Sequence, residues 1–281
     1  FTLAADELAL TQSAVGRQIG GLEEFLGVKL FRRTRRGVKL TAYGVTYGQS
    51  VRARLDDVER DTLDLIGGGA QGGTLELAVV PTFATHWLVP RLSQLRMLHP
   101  ELQVNLHVRT RPFLFAEERL DAAILATEGA WPGTRSELLF AESLVAVCAP
   151  SLMGSRKRLA ASDIARLPLI QMTTRPYAWR KWFRSHGVAT ETDMAGARVE
   201  LFSMAIQAAI HAQGAALVPE LFVEQPVRLG QLREPLRSKA PSGLGYHLIY
   251  PDSGTLGKSL SLFRDWLSTQ ATREREAGAS S

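Results

Sequence analysis

Thr11-Gln12-Ser13-Ala14-Val15-Gly16-Arg17-Gln18-Ile19-Gly20-Gly21-Leu22-Glu23-Glu24-Phe25-Leu26 is the stretch on which the reading of this chain turns. Thr11-Gln12-Ser13 supplies an N-cap. Val15, Ile19, Leu22 and Leu26 then recur at helical spacing, so one apolar stripe faces a core. The opposite face carries Gln12, Ser13, Arg17 and Gln18. Just upstream, Leu3, Leu8 and the small Ala4-Ala5-Asp6-Glu7 segment predict a short helix. Two short helices with a tight turn between them, the second opening on amide and hydroxyl side chains, form a helix-turn-helix pattern. In such a motif the first residues of the second helix meet base edges in the major groove. Gln can pair bidentately with adenine and Arg with guanine, which is why those residue types suit that face.

The segment from Gly27 to Thr41 holds Lys29, Arg32, Arg33, Arg35, Arg36 and Lys39 and no acid. Val38 and Leu40 alternate with polar residues as a short strand does, which places Arg35-Arg36-Gly37 at the tip of a wing. An isolated basic cluster of this kind reads equally well as a solvated turn. Directly after a helix-turn-helix pattern, contact with DNA phosphates is the better reading.

The run Ala4 to Ile19, followed by Leu22-Glu23, Leu26-Gly27, Leu30-Phe31-Arg32-Arg33 and Leu40-Thr41, closely resembles the signature of the LysR-type transcriptional regulators. That resemblance implies an α+β multidomain protein: a winged helix-turn-helix head, a long linker helix and a two-lobed, periplasmic-binding-protein-like effector domain. It implies that Gln12, Ser13, Arg17 and Gln18 form the groove-facing set and Arg33, Arg35 and Arg36 the wing, with Thr11 and Arg32 as further DNA contacts. The implied partners are double-stranded DNA with a pseudo-palindromic operator, a small-molecule effector, and further copies of the chain in a dimer or tetramer. The chain departs from the pattern at Gly16, where the family usually has Ser, and at Gly20-Gly21, where a basic or polar residue is common. Each glycine costs a helix about 1 kcal/mol relative to alanine, so this recognition helix is expected to be less rigid than its relatives. The family's first helix would precede Phe1, and the head is expected to be incomplete at its N-terminus.

Ala42 to Ile66 reads as one long helix. Val51, Leu55, Val58, Thr62 and Leu65 recur at coiled-coil spacing, a seam that predicts a dimer; a single amphipathic helix packed on its own domain is the plainer alternative. The glycine-rich run Gly67 to Gly73 ends that helix, and with no Lys-Ser/Thr pair after it reads as a hinge rather than a phosphate loop. The expected domains are therefore 1–44 for the head, 45–66 for the linker, 67–73 for the hinge and 74–272 for the effector domain, with a frayed polar tail at 273–281.

From Thr74 onward, strands and amphipathic helices alternate, which implies parallel sheets with crossovers and ligand contacts at the carboxyl ends of strands. Lobe I is expected to cover about 74–142 and 245–272, and lobe II about 143–244. Three places suit a ligand. Pro81-Thr82-Phe83 opens a helix with free N–H groups and a hydroxyl that fit an anion. Thr173-Thr174-Arg175 follows a strand, and Arg175 can pair with a carboxylate, sulfate or phosphate. Phe202-Ser203 opens a further helix. Ordinary capping is the competing explanation for Thr82 and Ser203, and a bond within its own lobe for Arg175. Thr127 and Tyr246 are weaker candidates. Pro81-Thr82-Phe83-Ala84 ahead of Trp87-Leu88-Val89-Pro90 resembles the branch of glycine-cleavage activators and β-lactamase regulators within the family.

With 281 residues, two or more domains are expected. A net charge of +5 permits a nucleic-acid partner without requiring one. The lone Cys148 sits in an apolar run and reads as an inert core residue. His86, His99, His107, His186, His211 and His247 are scattered, no metal or cofactor motif is found, and no nucleophile is paired with a base, so an enzyme is not expected. Trp179, Trp182 and Phe183 form an apolar helix face of the kind usually buried in a core. No run approaches a membrane span and the start is not a signal peptide, which predicts a cytoplasmic protein. The alternative to a regulator is a stand-alone small-molecule-binding protein without a working DNA head.

Overall fold

The computed structural model describes residues 2–34, 37–66, 73–111, 113–115, 117–252, 254 and 256–279. It divides into two compact units, Phe1–Gln71 and Gly72–Ser281. In the first, α1 (Thr2–Glu7) and α2 (Gln12–Leu26) are followed by a two-stranded antiparallel sheet, β1 (Phe31–Thr34) and β2 (Gly37–Leu40), and then by α3 (Ala42–Ile66). The turn between the first two helices carries Ala9 in the left-handed region, at φ 52°. The Thr11 hydroxyl accepts the Ala14 N–H at 3.2 Å, the N-cap that the sequence predicts, and Gly27 closes α2 at φ 68°. Ala5, Val15 and Leu30 are buried, whereas Ile19, Leu22 and Leu26 are only half-covered.

The second unit is built on one eight-stranded mixed sheet. Its strands are β3 (Thr74–Val79), β4 (Gln103–Val108), β5 (Ala122–Thr127), β6 (Thr134–Val147), β7 (Leu169–Met172), β8 (Ala197–Val199), β9 (Ala215–Pro219) and β10 (Ala240–Pro251), in the order β4-β3-β5-β10-β6-β9-β7-β8. The parallel strands β3, β4 and β5 belong to lobe I, and β7, β8 and β9 to lobe II. The two lobes are joined by β6 and β10, which run antiparallel to each other through the middle of the sheet. The lobe bounds expected from the sequence put the crossings near 143 and 245. Both crossing strands begin earlier, because each serves one lobe with its first half and the other with its second, so no single alternation runs through it. Register shifts interrupt the β6–β10 pairing between Pro241 and Gly245 and again between Tyr246 and His247.

Around this sheet pack α4 (Pro81–Phe83), a π-helical segment Ala84–Leu88, α5 (Val89–Leu98), α6 (Ala161–Ile164), α7 (Ala178–Ser185), α8 (Phe202–Ile210), α9 (Glu224–Arg228) and α10 (Lys258–Ala279). One core runs through both lobes, from Leu77, Phe83, Trp87 and Phe263 past Phe140 and Tyr246 to Val218 and Phe222. A second fills lobe II, where Trp179, Trp182 and Phe183 pack on Leu144, Cys148 and Leu217 as the sequence suggested. Burial raises the Cys148 thiol to about 11, consistent with an inert role. α10 continues seven residues past the expected domain end at 272. There Glu274 meets Arg91 at 2.6 Å, and the Arg91 guanidinium lies 4.6 Å from the centre of the Trp87 ring.

Candidate nucleic-acid interface and effector cleft

In the first unit the groove-facing candidates converge. Thr11, Gln12, Ser13, Arg17 and Gln18 are all exposed on the opening turns of α2, with the Thr11 hydroxyl also 3.1 Å from that of Ser13. Arg32 and Arg33 are exposed on β1. Thr34 pairs with Gly37 across the hairpin, and Arg35 and Arg36, expected at its tip, lie outside the described residues.

Sequence reading missed Glu23. Its carboxylate is buried and accepts the Leu30 N–H at 2.9 Å, the Phe31 N–H at 3.0 Å and the Lys29 ammonium at 2.7 Å, tying the end of α2 to the start of the wing. The signal available was an acid one helical turn from the apolar stripe and six residues before a lysine, a spacing that exposed pairs share. The Lys29 ammonium, with help from the Phe31 N–H, holds this carboxyl below its ordinary value of 4.5. A lowered native value means stability that is present above the ordinary value and lost as the pH falls through the native one. Glu23→Gln should therefore melt below the wild-type unit at neutral pH and converge with it in acid, as followed by circular dichroism. Equal melting at neutral pH would remove the clamp.

Behind the wing, the Thr41 hydroxyl donates to the Lys29 carbonyl at 2.7 Å and accepts the Gly44 N–H at 3.0 Å. A Cβ on Gly44 would stand 2.0 Å from the Leu30 carbonyl oxygen, so only glycine lets α3 approach this closely. On α3 itself, Val51, Leu55 and Val58 are exposed and Thr62 bonds back to the Val58 carbonyl at 2.8 Å. Leu65, the last expected seam residue, is outside the described side chains.

In the second unit the cleft between lobes draws together most of the expected ligand contacts. The Thr82 hydroxyl, on lobe I, accepts the Ser203 N–H at the opening of α8, on lobe II, at 3.1 Å. Phe83 stacks on Tyr246 with ring centres 5.0 Å apart, and Phe202 lies 6.5 Å from Phe222. Tyr246 donates its hydroxyl proton to Glu142 at 3.1 Å. Glu142, a second residue that sequence reading missed, has its side chain wholly enclosed, and it also receives Arg175 at 3.3 and 3.4 Å. Burial, then the Glu142 charge, raises the Tyr246 phenol well above its ordinary value, so it stays a proton donor. A cavity of about 650 Å³ lies beside this group, lined by Phe140, Tyr246, Glu142, Glu220, Glu234 and Arg237 among others.

Other candidates fall elsewhere. The Arg175 guanidinium is engaged by Glu142. Thr173 and Thr174 are exposed, the latter on a separate lobe II cavity. Thr127 ends β5 opposite Gly245, and its hydroxyl donates to the Gly129 carbonyl at 3.2 Å. Among the described residues no three His, Cys, Asp or Glu side chains gather at metal-binding distance, and no helix is long and apolar enough to cross a membrane.

A helix-turn-helix with a basic hairpin, joined to a two-lobed sensor with an internal cleft, defines a ligand-responsive DNA-binding regulator. Residues 1–45 match the bacterial regulatory helix-turn-helix protein, lysR family, and residues 68–272 match the LysR substrate binding domain. The chain belongs to the LysR family of transcriptional regulators. It is 36% identical over 278 residues to the glycine cleavage system transcriptional activator of Escherichia coli K12, a match covering 98% of this chain and 90% of the relative. It is 34% identical over 270 residues to the HTH-type transcriptional activator AmpR of Citrobacter koseri, covering 95% and 91%. The solved effector domain of AmpR from Pseudomonas aeruginosa superimposes with a TM-score of 0.65 at 25% identity, covering 73% of this chain and 99% of that one. These relatives are regulators, which disfavours the stand-alone binding protein.

Proposed function

We propose that this regulator works in the cytoplasm as a dimer or tetramer, reads a pseudo-palindromic operator, and responds to a small anionic effector in the cleft at Thr82, Phe83, Phe202, Ser203 and Tyr246. The observation that carries the effector reading is the bond from the Ser203 N–H to the Thr82 hydroxyl, which spans the two lobes at a helix N-terminus. A carboxylate entering there competes for that N–H and gains from the dipole of α8. Occupancy thus exchanges a direct tie between lobes for one through the ligand, and favours a different lobe angle. Transmitted through dimer packing, that change alters the spacing of the DNA heads. The expected result is a footprint length or DNA bend that changes at saturating effector; an unchanged footprint and bend would refute this mechanism.

For the head, Gln12, Ser13, Arg17 and Gln18 read bases, while Thr11 caps the helix beside them and Arg32, Arg33, Arg35 and Arg36 hold phosphates. Anisotropy titrations of the protein expressed from its full gene, on DNA upstream of that gene, test this across a salt series. Arg33→Ala should weaken binding to all sequences and reduce the salt slope by about one. Gln12→Ala should cost about 1–3 kcal/mol at one operator position and little on competitor DNA. A uniform loss from Gln12→Ala would remove that residue from base reading, and an absence of operator preference in the parent protein would refute the regulator reading.

A further inference from the structure

We propose that lobe II carries a second ligand site, distinct from the inter-lobe cleft, that takes a small organic anion with a flat apolar body. The site is a cavity of about 610 Å³ between α7 and the start of β10, a volume suited to small molecules. Leu144, Leu217, Trp182 and Pro241 give it an apolar wall. Arg175, Lys181 and Lys239 bring three cations to it, Ser185, Ser238 and Ser242 bring hydroxyls, and among the described residues no carboxylate lines it.

Two donors of residues in this wall have no hydrogen-bond partner among the described residues. They are the indole N–H of Trp182, a side chain that is 2% exposed, and the Nε–H of Arg175. Neither group can accept a hydrogen bond and a buried donor left unpaired is costly, but both nitrogens are closed to solvent, so a ligand's acceptor reaches them only when the Trp182 or Arg175 side chain turns toward the cavity. Of the cations, Lys239 is shared with Glu220 at 2.8 Å and also borders the neighbouring cavity, whereas Lys181 forms no ion pair among the described residues. Lys181 is therefore the free charge peculiar to this site. His186 completes the wall: its Nδ1 donates to the Trp182 carbonyl at 2.7 Å, and its Nε2 lies 2.8 Å from the Ser238 hydroxyl.

Arg175 connects this site to the cleft, since the same guanidinium reaches Glu142, which in turn holds the Tyr246 hydroxyl. An anion on the Nε side of Arg175 draws on the charge that now stabilises Glu142. Occupancy of lobe II is thereby felt at the residue that packs on Phe83, whatever molecule fills the cleft itself.

The test is isothermal titration of the full chain with phenylacetate, and with phenylacetamide as its uncharged match in shape. Phenylacetate should bind with one equivalent localised by Lys181: Lys181→Glu weakens it about ten-fold, as expected for loss of a charged hydrogen-bond donor, and Lys181→Arg retains it. Phenylacetamide should bind about ten-fold more weakly than phenylacetate to the parent and be indifferent to Lys181→Glu. Lys181 is exposed, so both variants should melt as the parent does. Equal affinity for the two compounds, binding unaffected by Lys181→Glu, or no heat at millimolar phenylacetate would each overturn the proposal. Those outcomes leave the operator and footprint results untouched, so failure here is separable from failure of the regulator reading.

Discussion

Replacing Gly16, Gly20 and Gly21 together with alanine is expected to stabilise α2 by about 3 kcal/mol, because each interior glycine carries about 1 kcal/mol of helix penalty. For a unit of this size that corresponds to a rise in melting temperature of about 10–20 °C. The gain arises from the unfolded chain, which loses backbone freedom, and from a folded state that resists none of the three changes. A Cβ at each position meets nothing within 4 Å, and none of the three has positive φ. Gly44 is the internal contrast: the same substitution there drives a methyl into the Leu30 carbonyl and should destabilise the unit. Differential scanning calorimetry resolves both. A fall in melting temperature for the triple variant would mean that those faces of α2 are covered by another segment or another copy. If the triple variant is stabilised and binds its operator no worse, the glycines are a cost of sequence drift; if operator preference drops, compliance of the recognition helix is part of reading.

Glu142→Ala is expected to destabilise the second unit by about 2–4 kcal/mol, the scale for removing one partner of a buried ion pair, taken below its maximum because Arg175 retains some solvent access. The side chain of Glu142 has no exposure and that of Arg175 has 25%. Its loss leaves a guanidinium with a second unpaired nitrogen and the Tyr246 hydroxyl without its acceptor. Glu142→Gln keeps an acceptor for Tyr246 and should fall between wild type and Glu142→Ala. The double variant Glu142→Leu/Arg175→Leu should lose less than the sum of its two single changes, since neither partner is then left alone. Urea unfolding of the wild type, Glu142→Ala, Glu142→Gln, the two single leucine variants and the double variant measures this. Additive losses would mean that the pair contributes no coupling.

What the sequence discloses here follows from how local each feature is. The cap at Thr11 and the paired strands around Arg33 depend on neighbours a few residues away and appear as read, whereas of the stripe only Val15 is buried and Ile19, Leu22 and Leu26 are half-covered. The same locality makes Thr82 and Ser203 legible, since each opens a helix after a strand. Their bond to each other, across 121 residues, is not. Glu142 was missed for a related reason. An acid inside an alternating strand looks solvent-facing until Arg175, 33 residues on, and Tyr246, 104 residues on, are folded around it. Arg175 was open to two readings, a ligand contact or a bond within its own lobe, and it has a partner within the protein, Glu142. The π-helical segment at Ala84–Leu88 had no local signature, because one extra residue per turn is set by how Trp87 and Leu88 pack.

The continuous sheet restricts how a signal can be passed. Strands hydrogen-bonded along their length resist sliding, so lobes that share β6 and β10 cannot separate as two halves of a hinge with independent pins. What remains is torsion, a change of twist along the two shared strands, and the register shift beside Tyr246 is where the ladder is already interrupted. Points on the twist axis hardly move while the outer ends of the lobes swing. On the proposed mechanism, Tyr246 and Glu142, which lie on these strands, would act as a fulcrum, and Thr82 and Ser203, off them, would experience the displacement. On that proposal, a regulator built this way would convert the size of a small molecule into an angle.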